Sequence, residues 1–197
     1  MCKRFFIVFI ALISSVYFFS CRTLPSEKNQ ISRELTGNGI MTSKELAAYF
    51  CKKNSSASQK KMQEFASCYI KEAKMEGINS DVAFAQMCVE TGYLNFGNLV
   101  VPEMHNYCGL GAMDKDHPGE WFKTEQQGIR AHIQHLHAYA TTEEVSLKNP
   151  LIDPRYSWPH KTRYAETVFE LAGTWAMDKD YGKKIDRILS EMQTFHK

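Results

Sequence analysis

The chain carries no useful excess of charge. Its 197 residues include 24 basic and 22 acidic side chains. Two of the basic ones, Lys3 and Arg4, precede an apolar run at the N-terminus, which leaves 22 against 22 in the remainder. A neutral body has no electrostatic footprint for nucleic acid, so no nucleic-acid partner is expected. A long membrane-spanning stretch is also missing. The apolar run from Phe5 to Phe19 has 15 residues, and a spanning helix needs about 20. Cysteine and histidine never combine in a pattern that metal or thiol chemistry requires. His132, His135 and His137 share one helix-like stretch, but no carboxylate or Cys accompanies them at ligand spacing. They read as surface or partly packed groups. Cys51, Cys68, Cys88 and Cys108 have no His placed beside them as a base. They read as small apolar residues or, in an exported chain, as disulfide partners. No metal or cofactor is expected. Proline is sparse, and Pro150, Pro154 and Pro159 break the segment 142–161 into an irregular loop of the kind that borders a site.

The N-terminus has its own logic. Lys3-Arg4 and the apolar run lead into Phe18-Phe19-Ser20-Cys21. A small residue before Cys, after such a run, looks like a bacterial lipoprotein processing site, with Phe18 where Leu is usual. Residues 1–21 are therefore read as a leader, with Cys21 as the lipidated residue. Lipid chains hold a protein to a membrane at about 0.8 kcal/mol per buried CH₂. Whether cut or retained as an anchor, the leader exports the chain and ties it to a membrane, in the periplasm or on the cell surface. Residues 22–41 are polar, with Pro25, Gly37 and Gly39, and are expected to form a flexible tether. Residues 42–197 are long enough for one domain with a substantial core.

Helical spacing then recurs. Thr42 or Ser43 can cap a short helix carrying Leu46, Ala47, Tyr49 and Phe50. Ser58 opens a longer one with Met62, Phe65, Ala66, Tyr69, Ile70 and Ala73 on one face, ended by Gly77. Asn79 or Ser80 caps a third, with Asp81 in its first turn and Gly92 at its end. Thr124 and Gln127 fit a capping box for a fourth, with Ile129, Ile133, Leu136 and Ala140 inward. Tyr164 to Ala172 reads as a helix closed by Gly173. Asp178 or Asp180 caps a last one, with Ile185, Ile188, Leu189 and Met192 inward. Between the third and fourth, residues 93–123 lose all helical period, and Gly97, Pro102, Gly109, Gly111, Pro118 and Gly119 divide them into turns.

Glu90 is the last polar residue of the third helix before Thr91-Gly92, with Phe84, Met87 and Val89 behind it. A carboxyl at the end of a buried helix, opening into a loop-lined cleft, has the setting that raises its pKa and makes a general acid. A general acid often works with a second carboxylate. Asp114, Asp116, Glu120 and Glu125 supply candidates. Asn106 can donate and accept together toward a polar ligand. Tyr156, Trp158 and Trp175 can stack on a ligand face, although aromatics also fill cores.

Five segments in order carry a resemblance. Gln86-Met-Cys-Val-Glu90-Thr-Gly92, Asn106-Tyr-Cys-Gly109-Leu-Gly111, Gly128 to Tyr139, Asp153-Pro-Arg-Tyr156 and Leu171 to Ile185 resemble the motifs of the peptidoglycan glucosaminidases, glycoside hydrolase family 73. The resemblance runs from about Glu64 to Ile188. It implies a mainly α, lysozyme-like α+β fold, with a small β-containing lobe beside the catalytic cleft. It implies Glu90 as the catalytic acid and a second Glu in the lobe about thirty residues later, which suits Glu120 best and Glu125 next. It places Trp175, Asp178 and Tyr181 near the cleft, with Tyr181 the best candidate for positioning substrate. The implied partner is the glycan strand of peptidoglycan, cut after N-acetylglucosamine, and a monomer is expected. The rivals are a lytic transglycosylase, a muropeptide amidase and a non-catalytic wall-binding lipoprotein.

Overall fold

A computed structural model describes residues 30–161 and 164–197. The leader, Cys21 and residues 22–29 lie outside the described residues. Among the described residues, five α-helices form the body: α1 (Ser43–Lys53), α2 (Gln59–Glu76), α3 (Ser80–Thr91), α4 (Glu125–Ala140) and α5 (Tyr181–Met192). Each starts where a cap was legible. Thr42 and Glu45 close a reciprocal capping box on α1, and the side chains of Ser58, Asn79 and Thr124 accept from the first turns of α2, α3 and α4. No described helix is long and apolar enough to cross a membrane.

α3 is the axis of the body. Spacing alone predicts one buried face. The structure buries every residue from Ser80 to Cys88, because α2, α4 and α5 all pack against this helix. Ala83 and Ala85 are small enough to let those neighbours close in, so the helix is enclosed on all sides.

Two segments depart from the sequence reading. The described part of the expected tether, 30–41, is packed. Ile31, Leu35 and Met41 are in the core. Their backbone is paired as well: Leu35 N–H donates to Glu166 C=O, Asn79 N–H to Leu35 C=O, and Val168 N–H to Arg33 C=O. The buried Asp81 carboxylate accepts from Ile40 N–H at 2.8 Å, and Arg33 pairs with Asp186 at 2.7 Å. Non-local backbone pairing leaves no periodic signature, which is why a polar segment with a few apolar residues looks like linker. Leu35→Ala should cost about 2–5 kcal/mol in a denaturant titration, as a core truncation does. A shift below about 0.5 kcal/mol, as at a surface site, would return this segment to a tether.

The same pairing explains the second departure. Tyr164 to Ala172 is not a helix. Tyr164 and Ala165 donate to Tyr139 C=O, Glu166 and Val168 pair with the N-terminal segment, and only Val168–Leu171 coils into a 3₁₀ turn.

Residues 93–123 form a lobe of turns with a short 3₁₀ turn at Pro102–Met104. No strand forms in it, and the described residues hold only isolated β-bridges. Its closure comes from Glu120 N–H to Leu110 C=O and Phe122 N–H to Met104 C=O. Asn106 clamps the middle. Its amide donates to Leu110 C=O at 2.8 Å and Glu120 C=O at 3.2 Å, and its oxygen accepts from Leu110 N–H at 2.9 Å.

Candidate active site

A cavity of about 660 Å³ opens between the end of α3, the turn lobe and the loop 150–161. That volume suits a ligand of a few sugar rings. Glu90 lines it, two residues before the left-handed Gly92 (φ 56°) that stops α3. The backbone stays left-handed just beyond, at Tyr93, Leu94 and Phe96. Such conformations cost about 1–3 kcal/mol each and gather at functional sites.

Two elements distant in sequence hold the Glu90 carboxyl. Trp175 Nε1–H donates to Oε1 at 2.9 Å, and the Tyr181 hydroxyl donates to the same oxygen. Trp175 sits in the turn that follows the 3₁₀ segment, and Tyr181 is the first residue of α5. Oε2 is turned toward Gly109 on the lobe. Burial raises the Glu90 pKa, and the Tyr181 and Trp175 hydrogen bonds pull the other way. Burial wins, so the protonated form persists to higher pH than in an exposed glutamic acid.

The wall on the other side is built from α4. Gln134 accepts from Ile152 N–H and Asp153 N–H and donates to Pro150 C=O, which fixes the proline-rich loop. His135 pairs with the buried Asp153 at 2.8 Å and meets the Trp175 ring edge-on at 4.9 Å. The same loop brings Arg155 and the exposed Trp158 to the cavity.

Of the site residues expected from sequence, Glu90, Asn106, Trp158, Trp175 and Tyr181 line this cavity. Asn106 does so with its amide committed to the lobe backbone, so it shapes the wall. Glu120 is one layer back. Its Oε1 lies 3.1 Å from where a Cβ on Gly111 would be, and Gly111 lines the cavity. Glu125 is exposed in the first turn of α4, near Glu64 and His105. Tyr156 is buried, and its hydroxyl is hydrogen-bonded to His137 Nδ1 at 2.8 Å, a core contact. Asp178 is exposed, accepts from Asp180 N–H and pairs with Lys184 at 2.6 Å.

The three histidines of α4 face different surroundings. His132 and His137 are buried rather than on the surface, and burial pulls their pKa values down to about 3 and about 4. His137 meets Tyr156 and His160, whereas His135 turns to Asp153. Cys51, Cys68, Cys88 and Cys108 are free thiols. Sequence reasoning missed His135, Tyr139 and Arg155 as lining residues. Gln86 entered only as the first residue of a family-like segment, although it precedes Glu90 by four and so shares its side of α3.

A protein-family model described as glucosaminidase, mannosyl-glycoprotein endo-beta-N-acetylglucosaminidase, matches residues 66–194. The chain is also similar to an uncharacterized protein of Borreliella burgdorferi. The two are 37% identical over 162 residues, which cover 82% of this chain and 78% of that protein. No solved structure matches the chain.

Proposed function

Because the chain belongs to the glucosaminidase family, and is therefore a glycoside hydrolase of the endo-β-N-acetylglucosaminidase type, we propose that it cuts peptidoglycan glycan strands after N-acetylglucosamine, with Glu90 as general acid. The observation that carries this reading is the Glu90 carboxyl itself. It is the one carboxylate among the described residues lining the cavity, its pKa is raised by burial, and one oxygen is anchored while the other is turned toward Gly109, which also lines the cavity.

Oε1 already accepts from two donors, so the acidic proton resides on Oε2. From there it passes to the glycosidic oxygen as the bond to C1 breaks. That transfer relieves the developing negative charge on the leaving sugar. The positive charge left on the sugar ring needs a second group. Glu120, in the lobe, takes this role by activating water behind Gly111. Glu120→Gln should then lower kcat by about 10²–10⁴-fold, as loss of a general base does, while Glu125→Gln leaves turnover unchanged. A specific observation favours a second reading. Glu120 is not itself among the lining residues, and attack by the 2-acetamido oxygen of the substrate would need no second carboxylate. Full activity in Glu120→Gln would select that route.

The pH profile follows from the same geometry. The general acid must be protonated, so activity falls as pH rises through the Glu90 pKa. That limb should lie above the usual 4.5 of a glutamic acid. Trp175→Phe removes a donor that stabilises the carboxylate, so the limb should move to still higher pH. A limb that stays put or moves down would contradict the arrangement.

The wider setting is also part of the proposal. Lys3-Arg4, the apolar run and Ser20-Cys21 support an exported lipoprotein, tethered by lipid at Cys21 with its domain facing the wall. A lysozyme-like division into helical body and lobe suits the cleft between α3 and residues 93–123. The domain is proposed to act as a monomer on an extended glycan.

A further inference from the structure

Polar side chains are costly in a core unless every donor and acceptor is paired. The core nevertheless encloses Gln86 of α3 and His132 of α4, both fully buried, with Tyr69 of α2 beside them. Their pairing runs in one direction. Burial keeps the His132 imidazole neutral, so it carries one N–H. Its Nε2 is 3.1 Å from Gln86 Oε1, which can only accept, so the proton is on Nε2. Nδ1 is then the acceptor and takes the Tyr69 hydroxyl at 2.9 Å. Gln86 Nε2 donates to the Tyr181 hydroxyl oxygen at 3.0 Å. With that oxygen engaged as an acceptor, the Tyr181 hydrogen is directed to Glu90 Oε1. The row Tyr69, His132, Gln86, Tyr181, Glu90 is thus a file of hydrogen bonds in which every donor points toward the carboxyl.

We propose that Gln86 and His132 are positioning residues acting through Tyr181: they fix its hydroxyl as a donor to Glu90 Oε1 and so keep the catalytic proton on Oε2, the oxygen that faces Gly109 across the cleft. A carboxyl has two oxygens, and a proton on Oε1 would point at Trp175 and Tyr181, away from substrate. The other ionisable groups around Glu90 do not compete, because burial holds the Cys108 thiol and the Tyr181 phenol neutral. His135, the ionisable neighbour of His132 on α4, is turned to Asp153. The inference rests on Glu90 being the acid.

The test compares two shape-conserving changes at one position. Gln86→Met deletes the donor to Tyr181. Gln86→Glu replaces it with an acceptor that draws the Tyr181 hydrogen away from Glu90. Gln86→Met should lower kcat about tenfold, the kinetic equivalent of one hydrogen bond, with KM unchanged and the alkaline limb moved to higher pH. Gln86→Glu should lower kcat further. In a Tyr181→Phe background, Gln86→Met should add nothing, because the group it acts through is gone. Tyr69→Phe, at the far end of the row, should cost less activity than Gln86→Met. Folded fraction is normalised by circular dichroism and thermal midpoint. Equal kcat and equal pH limbs in the two Gln86 variants would overturn the proposal, and so would an undiminished Gln86→Met effect in the Tyr181→Phe background. If either Gln86 variant fails to fold, the ratio of Tyr69→Phe to wild-type alkaline limbs decides: an upward shift supports the row, and coincident limbs sink it. Glu90→Gln separates the premises. Retained turnover there removes the acid, whereas loss there with normal Gln86 variants removes only the row.

Discussion

Glu90→Gln is expected to lower kcat on peptidoglycan by about 10²–10⁴-fold, the usual contribution of a positioned general acid. The substitution suits the site. The amide oxygen can accept from Trp175 Nε1 and the Tyr181 hydroxyl as Oε1 does, so the contacts that hold α3, the Trp175 turn and α5 together persist. Only the transferable proton is lost. KM should change little, because glycan contacts along the cavity are untouched. The thermal midpoint should hold or rise slightly, since a neutral amide carries no desolvation penalty in a site where burial disfavours the charged carboxylate. Reducing-end release and a melting curve on the same sample check both parts. Wild-type turnover in a folded variant would remove Glu90 from the chemistry.

Gly128→Ala should have the largest effect on the fold. Gly128 is in the first turn of α4, where the lobe backbone crosses it. A Cβ there would lie deep inside van der Waals contact of the His105 carbonyl oxygen and 2.8 Å from the carbonyl carbon. The clash is with backbone, so no side-chain rotation relieves it. α4 has little freedom to retreat. His132 is bonded to Tyr69 and Gln86, Gln134 to the loop 150–153, and Arg130 to the buried Glu72. The lobe has little freedom either, since His105 Nδ1 is paired with Phe122 C=O and Asn106 follows directly. A loss of about 3 kcal/mol or more is expected, at the upper end for overpacking. The denaturation midpoint should fall accordingly, and activity should fall with it, because the displaced lobe carries Gly109 and Gly111. A midpoint within about 0.5 kcal/mol of wild type would show that the two backbones are not in contact.

Much of the helical body was legible because its signals are local. Thr42, Ser58, Asn79 and Thr124 cap where their residue types predict, and Gly77 and Gly92 end α2 and α3 in left-handed geometry. The place of Glu90 beside a loop-lined cleft was legible from the apolar helix before it and the Gly-rich loop after it, whereas its role as acid came with the family resemblance. The misses have a common cause in long-range pairing. Residues 30–41 and 164–172 are held mainly by backbone hydrogen bonds to each other and to α4, which leave no period in the sequence. Asn106 was assigned to sugar because an amide suits sugar; it is used up by backbone groups four and fourteen residues on. Tyr156 looked like a stacking platform and is a core side chain whose hydroxyl is hydrogen-bonded to a buried histidine. The row from Tyr69 to Glu90 joins four elements, and nothing in the spacing of one helix announces partners on the other three.

The most direct test of the account is the identity of the new ends released from purified peptidoglycan by the wild-type protein. The wild-type protein should release saccharides with reducing N-acetylglucosamine, at a rate that falls as pH rises through a limb above 4.5. Anhydro-muramic ends would make the protein a transglycosylase, and peptide release without new sugar ends would make it an amidase. Either result would contradict cleavage after N-acetylglucosamine by Glu90.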